Sequence, residues 1–209
     1  VEETVAEQSW IAKNWKKLSI GLGVVAVVVL GYVGYKKLVA EPKELAAAEA
    51  IAPAQQLIAQ NAYDKAIPAL QAEIDQYGST ASGNLAQLYA GIAYYNEGKY
   101  DEAVKALEGY SECGDNMVDP AAMGALGNCY ACQKQYDKAV AKLTEAAKKA
   151  DNATLSPMYL IQAGEIYELA LNNKEKALEC YNQAKQNYKT SYQVQSGEID
   201  KYIERASVK

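Results

Sequence analysis

The most reactive side chains in this sequence are its four cysteines, and two of them form the motif Cys129-Tyr-Ala-Cys132. A C-x-x-C pair does thiol–disulfide chemistry when it opens a helix, where the helix dipole lowers the pKa of the first thiol. This pair falls instead deep inside an apolar helical stretch. The first reading is therefore of small buried side chains. A disulfide is the second, and a metal site is the third, with Cys113 and Cys180 as the further ligands it would need. Histidine is absent from the chain, which excludes catalytic triads, His-ligated zinc and imidazole general bases. No phosphate-binding loop, nucleophile elbow or regular Ca²⁺ loop occurs. Asn152-Ala-Thr154 fits a glycosylation acceptor, a pattern short enough to arise incidentally. The expectation is a binding protein with no catalytic residue, cofactor or metal; an enzyme would have only scattered carboxylates to work with.

A repeat organises the elements around these cysteines. Gly98-Lys-Tyr-Asp-Glu-Ala-Val104 returns as Tyr136-Asp-Lys-Ala139 and, more worn, as Lys174-Glu-Lys-Ala177. A Gly precedes a Tyr by three residues ahead of each copy (Gly91/Tyr94, Gly127/Tyr130, Gly164/Tyr167), and Leu107, Leu143 or Tyr181 follows each Ala by four. The Gly-to-Gly spacing is 36 and then 37 residues. On these residues the chain resembles a tetratricopeptide array, and the resemblance implies an all-α solenoid of antiparallel helix pairs. In such a pair Gly and Ala remove bulk where backbones approach, while Tyr and the large apolar residue fill the space, and stacking of several units supplies the stability.

The boundaries follow from composition. Residues 1–17 read as a polar tail, 18–38 as a transmembrane helix, 39–52 as a helical stem, 53–83 as a degenerate repeat, 84–190 as three repeats and 191–209 as a capping helix. From Leu18 to Tyr35 there are 18 uncharged residues, about 27 Å of helix, near the thickness of the hydrocarbon core. Trp10, Trp15 and lysines precede them, and Tyr32, Tyr35 and Lys36-Lys37 close them, as suits headgroup boundaries. An apolar run of this length is read as an uncleaved anchor in preference to a signal peptide. Ser19, Gly23 and Gly31 share one face of it, where a second helix could approach, and the lysines are too evenly divided to orient it. Pro42 and Pro53 are expected to kink or restart the stem, and Pro68 sits in the degenerate unit. Asp119-Pro120 and Ser156-Pro157 read as capped helix starts. The third repeat carries one extra residue, placed in its turn. Tyr192 to Ser207 reads as a single helix with Ile199, Tyr202, Ile203 and Ala206 on one face.

The chain is acidic, with a pI near 5.0. Residues 41–209 hold 16 basic and 23 acidic groups, net −7, which argues against nucleic acid as a partner. The expected working surface is the inner face formed by each repeat's first helix. It comprises Leu85, Leu88, Ile92 and Tyr95, then Ala121, Gly124, Asn128 and Ala131, then Met158, Ile161, Glu165 and Glu168, and it suits a protein or peptide segment. The alternative is that Leu88 and Ile92 only pack, against the proline-broken unit or the C-terminal helix. Tetratricopeptide domains that clamp chaperone C-termini carry Lys, Asn and Arg at inner-face positions held here by Leu88, Ile92, Ala125, Met158 and Gln162, so that clamp is absent.

The segments Tyr32-Val-Gly-Tyr-Lys-Lys-Leu38, Glu41-Pro-Lys-Glu44, Gly83-Asn-Leu-Ala86 and Tyr89-Ala-Gly91 are similar to the Bacteroidetes form of the ancillary SecYEG translocon subunits. That resemblance implies a single-pass inner-membrane protein with a periplasmic repeat domain. It would act near the translocon as a scaffold for polypeptides or periplasmic chaperones. The rival is a structural subunit of a membrane complex with no peptide-binding activity.

Overall fold

A computed structural model describes residues 2–208, with side chains described at residue 10 and from residue 12 to 208. All regular structure among the described residues is helical, and the chain divides into two compact units, Val1–Ala46 and Ala47–Lys209.

The first unit is dominated by α1 (Glu2–Tyr35), which ends in a π-helical turn, Lys36–Ala40. The helix begins at Glu2, so the segment expected to be a tail is already helical. From residue 18 to 35 its side chains are exposed apart from half-buried Gly34. This apolar stretch meets the length and composition needed to cross a membrane, with a mean hydropathy of 2.1 in its most apolar window. A Cβ added at Gly21, Gly23, Gly31 or Gly34 would meet nothing within 4 Å.

Helix α2 (Glu41–Ala59) runs on from the π-helical turn without a break, and Pro42, expected to kink or restart the stem, stands two residues past that turn inside the continuous helix. Pro53, expected to interrupt it, lies inside the unbroken helix. Both Pro53 and Glu49, whose carbonyl loses its N–H partner, are exposed, so water can satisfy that oxygen. Ala47, Ile51 and Ala54 of α2 are buried, so the stretch read as stem contributes to the second unit's core.

In that unit α3 (Tyr63–Tyr77) is followed by three helix pairs. These are α4 (Ala81–Asn96) with α5 (Tyr100–Gly109), α6 (Val118–Cys132) with α7 (Tyr136–Ala150), and α8 (Ser156–Glu165) with α9 (Lys174–Asn187). The repeated residue types meet as their sizes require. A Cβ on Gly91 would collide with the Leu107 side chain, on Gly127 with Leu143, and on Gly164 with Tyr181. Ala103, Ala139 and Ala177 are fully buried at the same crossings. Each second helix therefore keys its one large residue into a notch on its own partner.

The turns are equally regular. Asn61, Gly98, Lys134 and Asn172 each stand two residues before a second helix with positive φ, between 49° and 72°. In the first three, the next residue's N–H closes onto the carbonyl five back (Ala62 to Leu57, Lys99 to Tyr94, Gln135 to Tyr130). In the last it reaches six back, Asn173 to Tyr167 at 2.7 Å. The extra residue of the third repeat explains the difference, and it lies in the helix and not in the turn. Residues Ile166–Ala170 form a π-helical turn, with the N–H of Leu171 donating to Ile166 O at 3.0 Å, while the connection that follows keeps three residues as in the other repeats.

Helix starts also differ from expectation. Asp119 and Ser156 are completely buried and tie down the preceding loop instead of capping. The Asp119 carboxylate accepts from Tyr110 Oη at 2.8 Å and from the Cys113 and Gly114 N–H groups at 2.9 Å. Ser156 Oγ donates to Ala147 O and accepts from the Asn152 N–H. The capping oxygens sit four residues earlier. Asp115 accepts from Met117 and Val118 N–H, and Asn152 from Thr154 and Leu155 N–H. An interior carboxylate or hydroxyl must take whichever donors surround it, and here those belong to the loop.

The C-terminus is two helices, α10 (Tyr192–Gln195) and α11 (Glu198–Ser207), where one was expected. Gly197, in the left-handed conformation, separates them. The anticipated face is correct: Ile199 and Ala206 are buried, and Tyr202 and Ile203 pack on the cluster around Tyr181 and Leu160.

Candidate functional site

The inner-face residues do not form one open surface. Leu88 is 4% exposed and Ile161 6%, each inside a core cluster. Leu88 shares its cluster with Ala103, Leu107, Ala122, Leu126 and Cys129, against which Leu85, Ile92 and Tyr95 also pack. The apolar first repeat is thus largely the seam between α4 and α6: Leu88 packs, but against its own and the second repeat and not against the degenerate unit or the C-terminal helix. Leu85, Ile92, Tyr95, Ala121, Asn128, Ala131, Met158 and Glu165 remain half-buried. Gly124 is buried because the Tyr159 ring fills the space over it.

Glu168 is the clearest correction. At 8% exposure, its carboxylate accepts 2.8 Å bonds from Arg205 Nε and Nη2 and a 3.0 Å bond from Tyr181 Oη. The Arg205 hydrogen bonds hold its pKa below the usual carboxylate range, outweighing burial, with help from Tyr181. Its acidity is therefore spent on the C-terminal helix. The π-turn is the reason. Its wider turn advances each residue by a smaller angle than an α-helix does, so residues past Glu165 lag the expected register and Glu168 swings to the core.

Glu165 stays accessible. It lines a cleft of about 560 Å³ with Tyr192, Ser196, Glu198, Lys201, Tyr202 and Arg205. Burial raises its pKa; Arg205 pulls the other way, and the Glu168 and Glu198 carboxylates add to the rise. The Arg205 guanidinium also stands 5.2 Å from the Tyr202 ring centroid. Sequence reasoning did not assign α11 to the site. Its polar residues looked like a solvated face, and only the docking of α11 shows that they border α8. The signal that could have indicated them is the concentration of Tyr192, Tyr202, Lys201 and Arg205 in one short terminal segment. Further clefts line the opposite, second-helix side, such as one of about 790 Å³ bordered by Thr144, Lys148, Gln183 and Tyr188.

Cys129 and Cys132 separate in role. Cys129 is fully buried, and burial pushes its thiol up to about 12, the condition of an inert core thiol. Cys132 is exposed, with its Sγ 4.0 Å from Tyr95 Oη. All four cysteines are unpaired, and no group of three metal-ligating side chains occurs among the described residues.

Two crystal structures of MamA resemble this chain in fold. One has a TM-score of 0.52 at 18% identity, covering 73% of this chain and 91% of MamA. The other has a TM-score of 0.51 at 18% identity, covering 78% and 90%. No curated protein matches the chain in sequence. The repeated notch-and-key pairs, the uniform turns and a family match over residues 8–199 agree, and the chain belongs to the tetratricopeptide repeat-like domain family.

Proposed function

We propose that this protein is a membrane-anchored interaction scaffold of the bacterial cell envelope. Residues 18–35 span the inner membrane, the repeats lie in the periplasm near the translocon, and they bind segments of emerging polypeptides or chaperones. The observation that carries this reading is the union, in one chain, of an exposed apolar helix, none of whose most apolar window is buried, with a tetratricopeptide stack. The stack's interior is filled by its own packing, so its surfaces are what remain to work with. The half-buried band of Leu85, Ile92, Tyr95, Asn128, Met158 and Glu165 is the candidate contact surface.

The test is photo-crosslinking in cells from positions 92 and 158, with affinity purification in mild detergent and mass spectrometry. Crosslinks to translocon subunits or exported polypeptides support the reading; none from either position overturns it. Exposed Cys113 and Cys132 report sidedness: an impermeant maleimide should label them in intact spheroplasts, and labelling only after lysis overturns the periplasmic placement. The second reading, a structural subunit, is favoured by the sealed Leu88 and Ile161 and the open space over the α1 glycines. It requires a stoichiometric assembly that binds no free peptide.

A further inference from the structure

The cleft between the end of α8 and the α10–α11 segment has the chemistry of a receptor for one basic side chain. Its wall carries two carboxylates, Glu165 and Glu198, two tyrosine rings, and the cations Lys201 and Arg205. Arg205 is already committed to Glu168 through two nitrogens. Among the described residues neither Glu165 nor Glu198 has a Lys or Arg nitrogen within ion-pair distance. Glu165 is half-buried all the same. Arg205 acts on Glu165 only from beyond ion-pair distance, and a partly dehydrated carboxylate with no directly paired cation is a standing cost that an arriving cation relieves.

The aromatic component is independent of the charges. Tyr192 is 75% exposed at the edge of the cleft, a large ring with little to cover it, and Tyr202 already supports one guanidinium on its face. A flat cation between a carboxylate and a phenol ring is how guanidinium groups are held where they must be recognised, and an ammonium fits the same place less completely. The net −7 of residues 41–209 adds a field that draws basic segments in and turns acidic ones away.

We propose that this cleft holds an arginine side chain of a bound polypeptide segment, with Glu165 and Glu198 as its carboxylate partners and Tyr192 and Tyr202 as its walls. The proposal rests on the polypeptide-binding reading above and gives it a specificity: segments are chosen for a basic residue.

The test uses the full chain in mild detergent and a fluorescein-labelled decapeptide of Gly, Ser and Leu with one central Arg. Matched peptides carry citrulline, Lys or Glu at that place, and binding is read by fluorescence anisotropy at low and high salt. The Arg peptide is expected to bind about tenfold tighter than the citrulline peptide, the worth of one partly buried charge-assisted bond, with Lys between them and Glu weakest. Glu165→Gln combined with Glu198→Gln should erase the Arg-to-citrulline ratio, and Tyr192→Ala should shrink it. Glu145→Gln, on the opposite side, should leave it intact. Unchanged thermal unfolding of the Gln variants shows that they fold. Equal binding of Arg and citrulline peptides, or a ratio that survives Glu165→Gln with Glu198→Gln, overturns the proposal, as does failure of every peptide to bind. If crosslinks from positions 92 and 158 persist in any of those cases, the polypeptide-binding reading stands and this specificity alone falls.

Discussion

Glu168 gives up its hydration only because Arg205 and Tyr181 replace it, so removing the cation should expose the cost. Arg205→Ala is expected to destabilise the repeat unit by about 2 kcal/mol, below the usual value for a broken buried pair because the Arg205 side chain is 45% exposed. Urea unfolding followed by circular dichroism measures it. Asp119 is depressed likewise. Its burial opposes ionisation, but the Cys113 N–H, the Tyr110 hydroxyl and the Gly114 N–H outweigh it. Groups with lowered folded pKa values contribute stability that is full above their unfolded values, near 4, and is lost as pH falls through the folded ones. The urea midpoint should therefore hold down to about pH 5 and drop below pH 4, and Asp119→Asn should flatten part of that drop. Among the thiols, Cys113 and Cys132 should react with a maleimide in the native protein while buried Cys129 and Cys180 react only after unfolding; burial also pushes the Cys180 thiol up to about 11. The Cys-x-x-Cys spacing could not foretell that division, because Cys132 is the last residue of α6 and a helix end is poorly marked in the sequence pattern.

At the scale of the element, the helix pairs were legible because each is specified by a contact between residue sizes at fixed offsets: Gly91 with Leu107, Gly127 with Leu143, Gly164 with Tyr181. Gly127→Val should cost several kcal/mol, since Leu143 is completely buried and cannot retreat; a lost cooperative thermal transition would register it. The π-turn was not legible. Ten residues from Tyr167 to Ala177 disclosed an insertion, but a looser loop and a wider helical turn cost nothing different in sequence pattern. Deleting Leu169 should restore an α-helical end to α8 and carry Glu168 away from Arg205. Arg205→Ala should then add little to the deletion, a non-additivity that a double-mutant cycle measures. Pro53, exposed within α2, forfeits a helix bond. Pro53→Ala should stabilise by up to about 3 kcal/mol, read as a higher urea midpoint.

For the whole molecule, three apolar clusters join consecutive units, one around Leu70 and Ala90, one around Leu88 and Leu126, and one around Leu160 and Tyr181. Each unit contacts its neighbours, so damage at a seam should spread. Leu88→Asp puts a charge between α4 and α6 and is expected to unfold both the first and second repeats, which hydrogen exchange of their amides would reveal. The candidate site was legible only in its α8 half. Register counting put Glu165 on an accessible face, where it lines the cleft, whereas the contribution of α11 depends on how the terminal helix docks, a tertiary outcome with no local period. The π-turn has a consequence for descent as well as for packing. The third repeat, one residue longer than the others at that place, keeps the three-residue turn, the notch at Gly164 and the second helix, and holds the Glu168 carboxylate in the interior. Binding specificity in such a lineage can change in one genetic step that no substitution provides, by re-dealing which side chains face outward past the insertion and leaving the scaffold beneath them undisturbed.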